Sequence, residues 1–362
     1  MKQEEKLLRL LKEYSSLGIA DQIDYQKFYL YSLITHSTAI EGSTVTEIEN
    51  QLLFDEGISA KGRTIQEQMM NLDLKAAYEE SMRLAHLHTD FSVEMLKNLS
   101  AIVMKNTGST YNTAQGTFDA SKGDLRLVGV TAGIGGRSYM NYQKVPAKLA
   151  EFCEQLNRNR RKLMDTEDTI AKYLLSFDAH YQLVTIHPWA DGNGRMSRLV
   201  MNHLQYEFGL VPVKIIKEDK AEYIQALVDS REQDSIEPFR AFMLEEHIRN
   251  ISKEIEEYKH SQAVEPLNGR GDDTANDTVN DTVKVGNLSK TEEAVLAAVG
   301  LYPAYTYEKL AAYCNLSRPT VARAIKTLQG RQLIRRVGSD KTGHWEVVNG
   351  KDDNPLTNGR KR

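Results

Sequence analysis

Apolar residues recur at three- and four-residue spacing almost without interruption from residue 1 to about 260. Examples are LLRLLKEY, YQKFYLYSLI, VEMLKNLSAIVMK, AKLAEFCEQL, IAKYLLSFDAHYQLVTI, RLVMNHLQYEFGL and EYIQALVDS. That period gathers apolar side chains into a stripe along an α-helix, and many such stripes in one chain are buried against each other. The expected fold is mainly α, a helical bundle. One segment departs from the pattern. Residues 116–145, GTFDASKGDLRLVGVTAGIGGRSYMNYQKV, are rich in glycine and β-branched residues, which predicts a hairpin-like insertion between helices.

A chain of 362 residues exceeds one small core and predicts two or three units. Residues 261–287 are polar, Gly- and Asp-rich and partly repetitive (NDTVNDTV), so they cannot bury enough apolar surface to offset ordering and read as a flexible linker. Beyond it, SKTEEAVLAAV, YTYEKLAAYCNL and SRPTVARAIKTLQGRQL read as three short helices, and IRRVGSDKTGHWEVV as two strands around a turn. Three helices and a hairpin over 288–348 make a small winged helix-turn-helix arrangement. Residues 349–362 read as a disordered tail.

The 46 basic and 50 acidic side chains leave a net charge of −4, which excludes a globally basic nucleic-acid coat protein. From residue 288 onward the balance reverses, with 13 basic against 7 acidic side chains. In SRPTVARAIKTL, Ser317 is the expected N-cap, Pro319 sits in the first turn, and Val321, Ile325 and Leu328 face inward. Arg318, Thr320, Arg323 and Lys326 then face solvent or a groove, with Arg335, Arg336 and Lys341 near the wing. DNA contact through residues 317–345 and use of the same fold for protein contact or dimer regulation are both open.

Cys153 and Cys314 lie too far apart in the chain for a disulfide framework or a four-ligand zinc site, and a reducing cytoplasm suits them. The start, MKQEEKLLRLLKEY, interleaves charge with leucine and lacks the pattern of a secretory signal. No apolar stretch approaches the ~20 residues that cross a bilayer. The expectation is a cytoplasmic protein with no membrane partner.

The stretch HPWADGNGRMSR, residues 187–198, carries the chemistry. Pro188 ends the preceding helix at His187, because proline cannot donate the next backbone bond. Gly192 and Gly194 flank Asn193 in a turn that lets successive N–H groups point into one concavity, and the next helix, expected to begin near Arg195, adds its positive end. Asp191 stands where a carboxylate would hold Mg²⁺ against two phosphate oxygens. Arg195 and Arg198, three apart, share a helix face and suit a polyphosphate. His187, largely neutral near pH 7, can take a hydroxyl proton. Together these residues specify attack by a hydroxyl on phosphorus, without choosing which phosphorus.

This stretch resembles the Fic (filamentation induced by cyclic AMP) family motif HPFx[D/E]GNGRxxR, with Trp189 in place of the usual Phe, a packing position. The resemblance, with its helical surroundings, covers about residues 90–250. It implies a Fic catalytic domain over 90–260 behind an N-terminal helical region at 1–89. It also implies transfer of AMP from ATP to a Ser, Thr or Tyr hydroxyl of a protein, releasing pyrophosphate. His187 would be the general base, Asp191 the Mg²⁺ ligand, Gly192, Asn193 and Gly194 the phosphate cradle, Arg195 a neutralising charge and Arg198 the γ-phosphate contact. Leu125 to Tyr142 resembles the family's flap hairpin, which docks the target's backbone as an added strand. Tyr223 stands where a nucleotide-contacting tyrosine often lies.

A second stretch, STAIEG at 37–42, is similar to the family's inhibitory motif [S/T]xxxE[G/N] through Ser37, Glu41 and Gly42, and its position resembles the subclass with an N-terminal inhibitory helix. Glu41 paired with Arg198 would keep that arginine from the γ-phosphate. A plainer reading gives Glu41 only a helix end, before a capping box of Thr44 and Glu47. The leading expectation is a self-inhibited protein adenylyltransferase, self-modification and homo-oligomer formation remaining open. The alternatives are a DNA-binding regulator whose helical domain senses nucleotide, transfer of another nucleotide or of phosphocholine, and removal of AMP.

Overall fold

The computed structural model describes residues 3–132, 136–263 and, in pieces, 289–347. The chain divides into a unit at Met1–Asn268 and another at Gly269–Arg362. The first contains α1 (Gln3–Ser16), α2 (Tyr25–Ile40), α3 (Glu47–Glu56), α4 (Ile65–His86) and α5 (Val93–Val103). A hairpin of β1 (Thr110–Thr113) and β2 (Gly116–Asp119) follows. Then come α6 (Val145–Met164), α7 (Thr169–Ile186), α8 (Asn193–Glu207), α9 (Lys220–Glu232) and α10 (Glu237–Ala263). The mainly helical expectation holds. Helix α10 runs to Ala263, into the expected linker; residues 264–287 of that linker and the 349–362 tail lie outside the described residues.

Helix α8 is the centre. It packs against α4, α5 and α7, and Met196, Leu199, Val200, Met201 and Leu204 are all buried, as expected of a helix covered on every side. The residues that open α8 therefore stand on a rigid base.

Helix α2 is also buried on most sides, and its polar residues are satisfied internally. Thr38 Oγ1 donates to Asn71 Oδ1 (2.7 Å), Asn50 Nδ2 donates to Thr35 Oγ1 (2.7 Å) and Asn71 Oδ1 (2.9 Å), and Asn71 Nδ2 donates to Ser43 Oγ (3.1 Å). This network ties the C-terminal half of α2 to α3 and α4. Asn71→Leu strands buried partners on both helices and is expected to cost about 3 kcal/mol in urea unfolding; an unchanged midpoint would contradict the network's role.

The capping box forms two residues later than expected. Thr46 caps α3, its side chain accepting from Glu49 N–H (3.3 Å) while Glu49 Oε2 accepts from Thr46 N–H (2.8 Å). Thr44 instead donates to Glu67 Oε1 (2.6 Å), and Glu47 accepts from Ser32 Oγ (2.5 Å). Tertiary partners outcompeted the local box.

The β-rich insertion begins earlier than 116. Strands β1 and β2 pair antiparallel from Thr110↔Asp119 to Thr113↔Gly116, and the Tyr111 and Phe118 rings stack with centroids 4.9 Å apart. The polar run TYNT conceals a strand that one cross-strand aromatic pair stabilises. Residues 125–142 form a looser loop with an antiparallel bridge, Thr131↔Ser138, flanked by Tyr139 N–H donating to Val130 O (3.0 Å). Residues 133–135 lie outside the described residues.

In the second unit, α11 (Lys290–Leu301) and α12 (Arg318–Gly330) precede β3 (Ile334–Val337), which pairs antiparallel with β4 (His344–Val347). Val321, Ile325 and Leu328 are buried with Val295, Val299, Ile334 and Trp345. Arg335 pairs with Glu346 (2.7 Å) and Arg336 lies over the Trp345 ring (4.8 Å). Ser317, Lys341 and half of YTYEKLAAYCNL lie outside the described residues.

Candidate active site

Helix α7 ends on His187, whose backbone is left-handed (φ 51, ψ 63), with its N–H donating to Leu183 O (3.0 Å). The ring's Nδ1 lies 3.2 Å from Val184 O. Donation from Nδ1–H to that carbonyl fixes the tautomer with Nε2 as acceptor, an assignment made from the contact. Burial pushes the imidazole down to about 4, the nearby Arg126 and Arg231 charges adding to it, against the Val184 contact and Asp191. The imidazole is neutral at pH 7. Tyr139, from the 125–142 loop, stacks on it with ring centroids 3.7 Å apart.

The turn after Pro188 is held from inside. Trp189 is buried, its indole N–H donating to Gly123 O (3.2 Å), which agrees with a packing role. Asn193 Nδ2 donates to Trp189 O (2.9 Å) and its Oδ1 accepts from Trp189 N–H (3.1 Å). The Asn193 side chain therefore staples the turn, and only its backbone is left for a phosphate. Gly192, at φ 79, is the N-cap, so α8 starts at Asn193 and not near Arg195. The left-handed glycine turns the chain straight into the helix. The first α8 bond runs from Met196 N–H to Gly192 O (2.9 Å), leaving the N–H groups of Asn193, Gly194 and Arg195 without helical acceptors. A Cβ at Gly194 would lie 2.5 Å from Glu41 Oε1, and one at Gly192 2.7 Å from Met104 Sδ.

Asp191 is exposed; its Oδ1 accepts from Gly192 N–H (2.6 Å) and stands 3.7 Å from Arg195 Nη2. Among the described residues no group of three or more His, Cys, Asp or Glu side chains converges on a metal position. One carboxylate suits Mg²⁺ only where phosphate oxygens and water complete the shell. Arg195 is buried with Nη2 against Met104 Sδ (3.1 Å), while its Nε and Nη1 have no partner among the described residues. A buried guanidinium with two open donors beside a helix N-terminus fits an anion.

Arg198 is engaged through two of its three nitrogens. Its Nε donates to Ser37 Oγ (2.8 Å), and Nη2 donates to Ser37 O (3.0 Å) and Glu41 Oε1 (2.6 Å). Glu41 caps the end of α2, and Gly42 turns the chain away at φ 104. Burial works to raise the Glu41 carboxyl, but the charge and hydrogen bond of Arg198, with Arg195 and Lys220, outweigh it and hold it below the usual range. The structure thus brings Ser37 and Glu41 to the first two turns of α8, while Gly42 only turns the chain away.

Tyr223 departs from expectation. It is 1% exposed, its hydroxyl 3.0 Å from His180 Nε2 and its ring against Phe239, so it backs Arg198 from the core. The inner face of α9 claims it. Two residues without a sequence signal do reach the site: Tyr139 on His187, and Arg126, whose Nε donates to His187 O (2.7 Å).

Residues 90–205 match the sequence model of the Fic/DOC family. The chain is 25% identical over 238 residues to "Protein adenylyltransferase fic-1" of Caenorhabditis briggsae, covering 65% of this chain and 43% of that protein. It thus spans under half the length of that relative. Among solved structures, it resembles a Fic domain containing signaling protein from Bacteroides thetaiotaomicron (TM-score 0.57, 19% identity, 70% of this chain and 98% of that one). It also resembles a Fic family protein from Desulfovibrio desulfuricans (TM-score 0.52, 18% identity, 96% and 97%). At these identities the structures speak for the fold, and the sequence match speaks for the family. This chain carries a Fic/DOC family domain at residues 90–205, built on a mainly helical fold.

Proposed function

We propose that this protein is a self-inhibited protein adenylyltransferase, moving AMP from ATP to a Ser, Thr or Tyr hydroxyl of a protein. The observation that carries the reading is Arg198 held by Ser37 and Glu41 beside an N-terminal turn whose open donors, Arg195 included, suit phosphates. With the triphosphate on that turn, the target hydroxyl oxygen attacks the α-phosphorus. A new O–P bond forms, the α-phosphorus to bridging-oxygen bond breaks, and pyrophosphate leaves. His187 Nε2 takes the hydroxyl proton. Mg²⁺ held by Asp191 would supply charge neutralisation between the phosphates. The target would lay its backbone along the 125–142 loop.

Intact-mass measurement of Glu41→Gly protein incubated with ATP, Mg²⁺ and candidate protein targets tests this. An adduct the size of AMP, on itself or a target, is expected; no adduct under any of these conditions would contradict it. A pH prediction follows from the imidazole. A base pushed down to about 4 is active when neutral and is lost only as pH falls through that value. The acid limb of kcat/KM is therefore expected near 4, not near the ordinary 6.5. A limb between 6 and 7 would contradict that environment for His187.

A further inference from the structure

Arg126 is 1% exposed, and its hydrogen bonds go to backbone carbonyls. Nε donates to His187 O (2.7 Å), Nη1 to Val128 O (2.7 Å) and Nη2 to Met140 O (2.5 Å). Its own backbone N–H donates to Pro188 O (3.0 Å). Burying a cation against neutral acceptors is costly, and a leucine of similar size would fill the space with less desolvation. What the guanidinium alone can do is join three segments in fixed geometry: the left-handed end of α7, the outgoing arm of the 125–142 loop at Val128 and its returning arm at Met140. Tyr139, next to Met140, is the residue stacked on the imidazole, and Arg231 from α9 stands 4.9 Å from that tyrosine ring.

We propose that Arg126 is a positioning residue that locks the target-docking loop to His187, with Tyr139 as the ring that fixes the imidazole plane. The proposal rests on the adenylyltransferase reading for its consequence. A target strand laid on the loop would then bring its hydroxyl to a base already held in register, so alignment is built in before the target arrives. The carbonyl contact also holds His187 in a backbone conformation that non-glycine residues rarely adopt.

The test uses the full chain carrying Glu41→Gly as parent. Three quantities are followed: AMP transfer at saturating ATP, ATP affinity by calorimetry, and the NMR signals of isotope-labelled histidine, with His187 identified by its loss in His187→Ala. In the parent the His187 signals are expected upfield, under the Tyr139 ring current. Arg126→Met and Tyr139→Leu are both expected to abolish that upfield shift and lower transfer about a hundredfold, with the Kd for ATP held within about twofold. Arg126→Lys, which keeps the charge without the three-way fork, is expected to rescue neither. Folded Arg126→Met with parental transfer and an unmoved His187 signal would overturn the proposal. Should Arg126→Met fail to fold, Tyr139→Leu, at a partly exposed position, is decisive alone: parental transfer with an unmoved His187 signal overturns the proposal there too. If the parent itself transfers no AMP, the functional reading fails, while the histidine signals still decide whether Arg126 positions the ring.

Discussion

Replacing Glu41 with glycine is expected to raise AMP transfer about a hundredfold or more, because it frees Arg198 without touching the turn that receives the phosphates. In the structure Arg198 donates to Glu41 Oε1 (2.6 Å) and twice to Ser37, so no donor of that pair of nitrogens is left for a γ-phosphate. The carboxylate also fills the space above Gly194, where a Cβ would come within 2.5 Å of it. Removing it both releases the guanidinium and opens that space. Ser37 remains as a weaker, neutral partner that a triphosphate can outcompete. Comparing transfer rates of wild-type and Glu41→Gly protein at saturating ATP checks this; equal rates would remove the brake.

The second large effect is on His187. His187→Ala in the Glu41→Gly background is expected to lower transfer by about 10²–10⁴-fold, the usual weight of a positioned general base. Nucleotide affinity should hardly change, since the open donors belong to the start of α8 and to Arg195, while the imidazole lies at the end of α7. Calorimetry with ATP beside the transfer assay separates the two. Loss of binding together with transfer would show that His187 supports the cradle and is not a base.

Much of this site was legible because its residues are adjacent in sequence. His187 to Arg198 form one turn and one helix start, so their spacing already specified a base, a carboxylate and an anion-binding turn. Ser37 and Glu41 were legible as a short pattern only, and the contact with Arg198, across more than 150 residues of chain, required the folded structure. What stayed hidden depends on backbone partners or on tertiary competition. Arg126 binds carbonyls, which every residue carries, so no sequence pattern marks it. Asn193 read as a phosphate ligand, yet its amide satisfies Trp189. Tyr223 fitted a nucleotide contact by position, but the aromatic cluster with His180 and Phe239 buried it. Thr44 and Glu47 had the right spacing for a capping box and lost it to Glu67 and Ser32 as partners. The bundle itself was legible from periodicity and the β-rich insertion from its glycines, whereas strand β1 was not, since its polar run TYNT carries no apolar alternation.

The most direct measurement incubates Glu41→Gly protein with ATP labelled at either the α- or the γ-phosphate and follows label retained on protein. Attack at the innermost phosphorus over the α8 turn predicts stable label from the α position alone, absent when His187 is also alanine. Retention of γ-label, or α-label transfer that persists without His187, would contradict it.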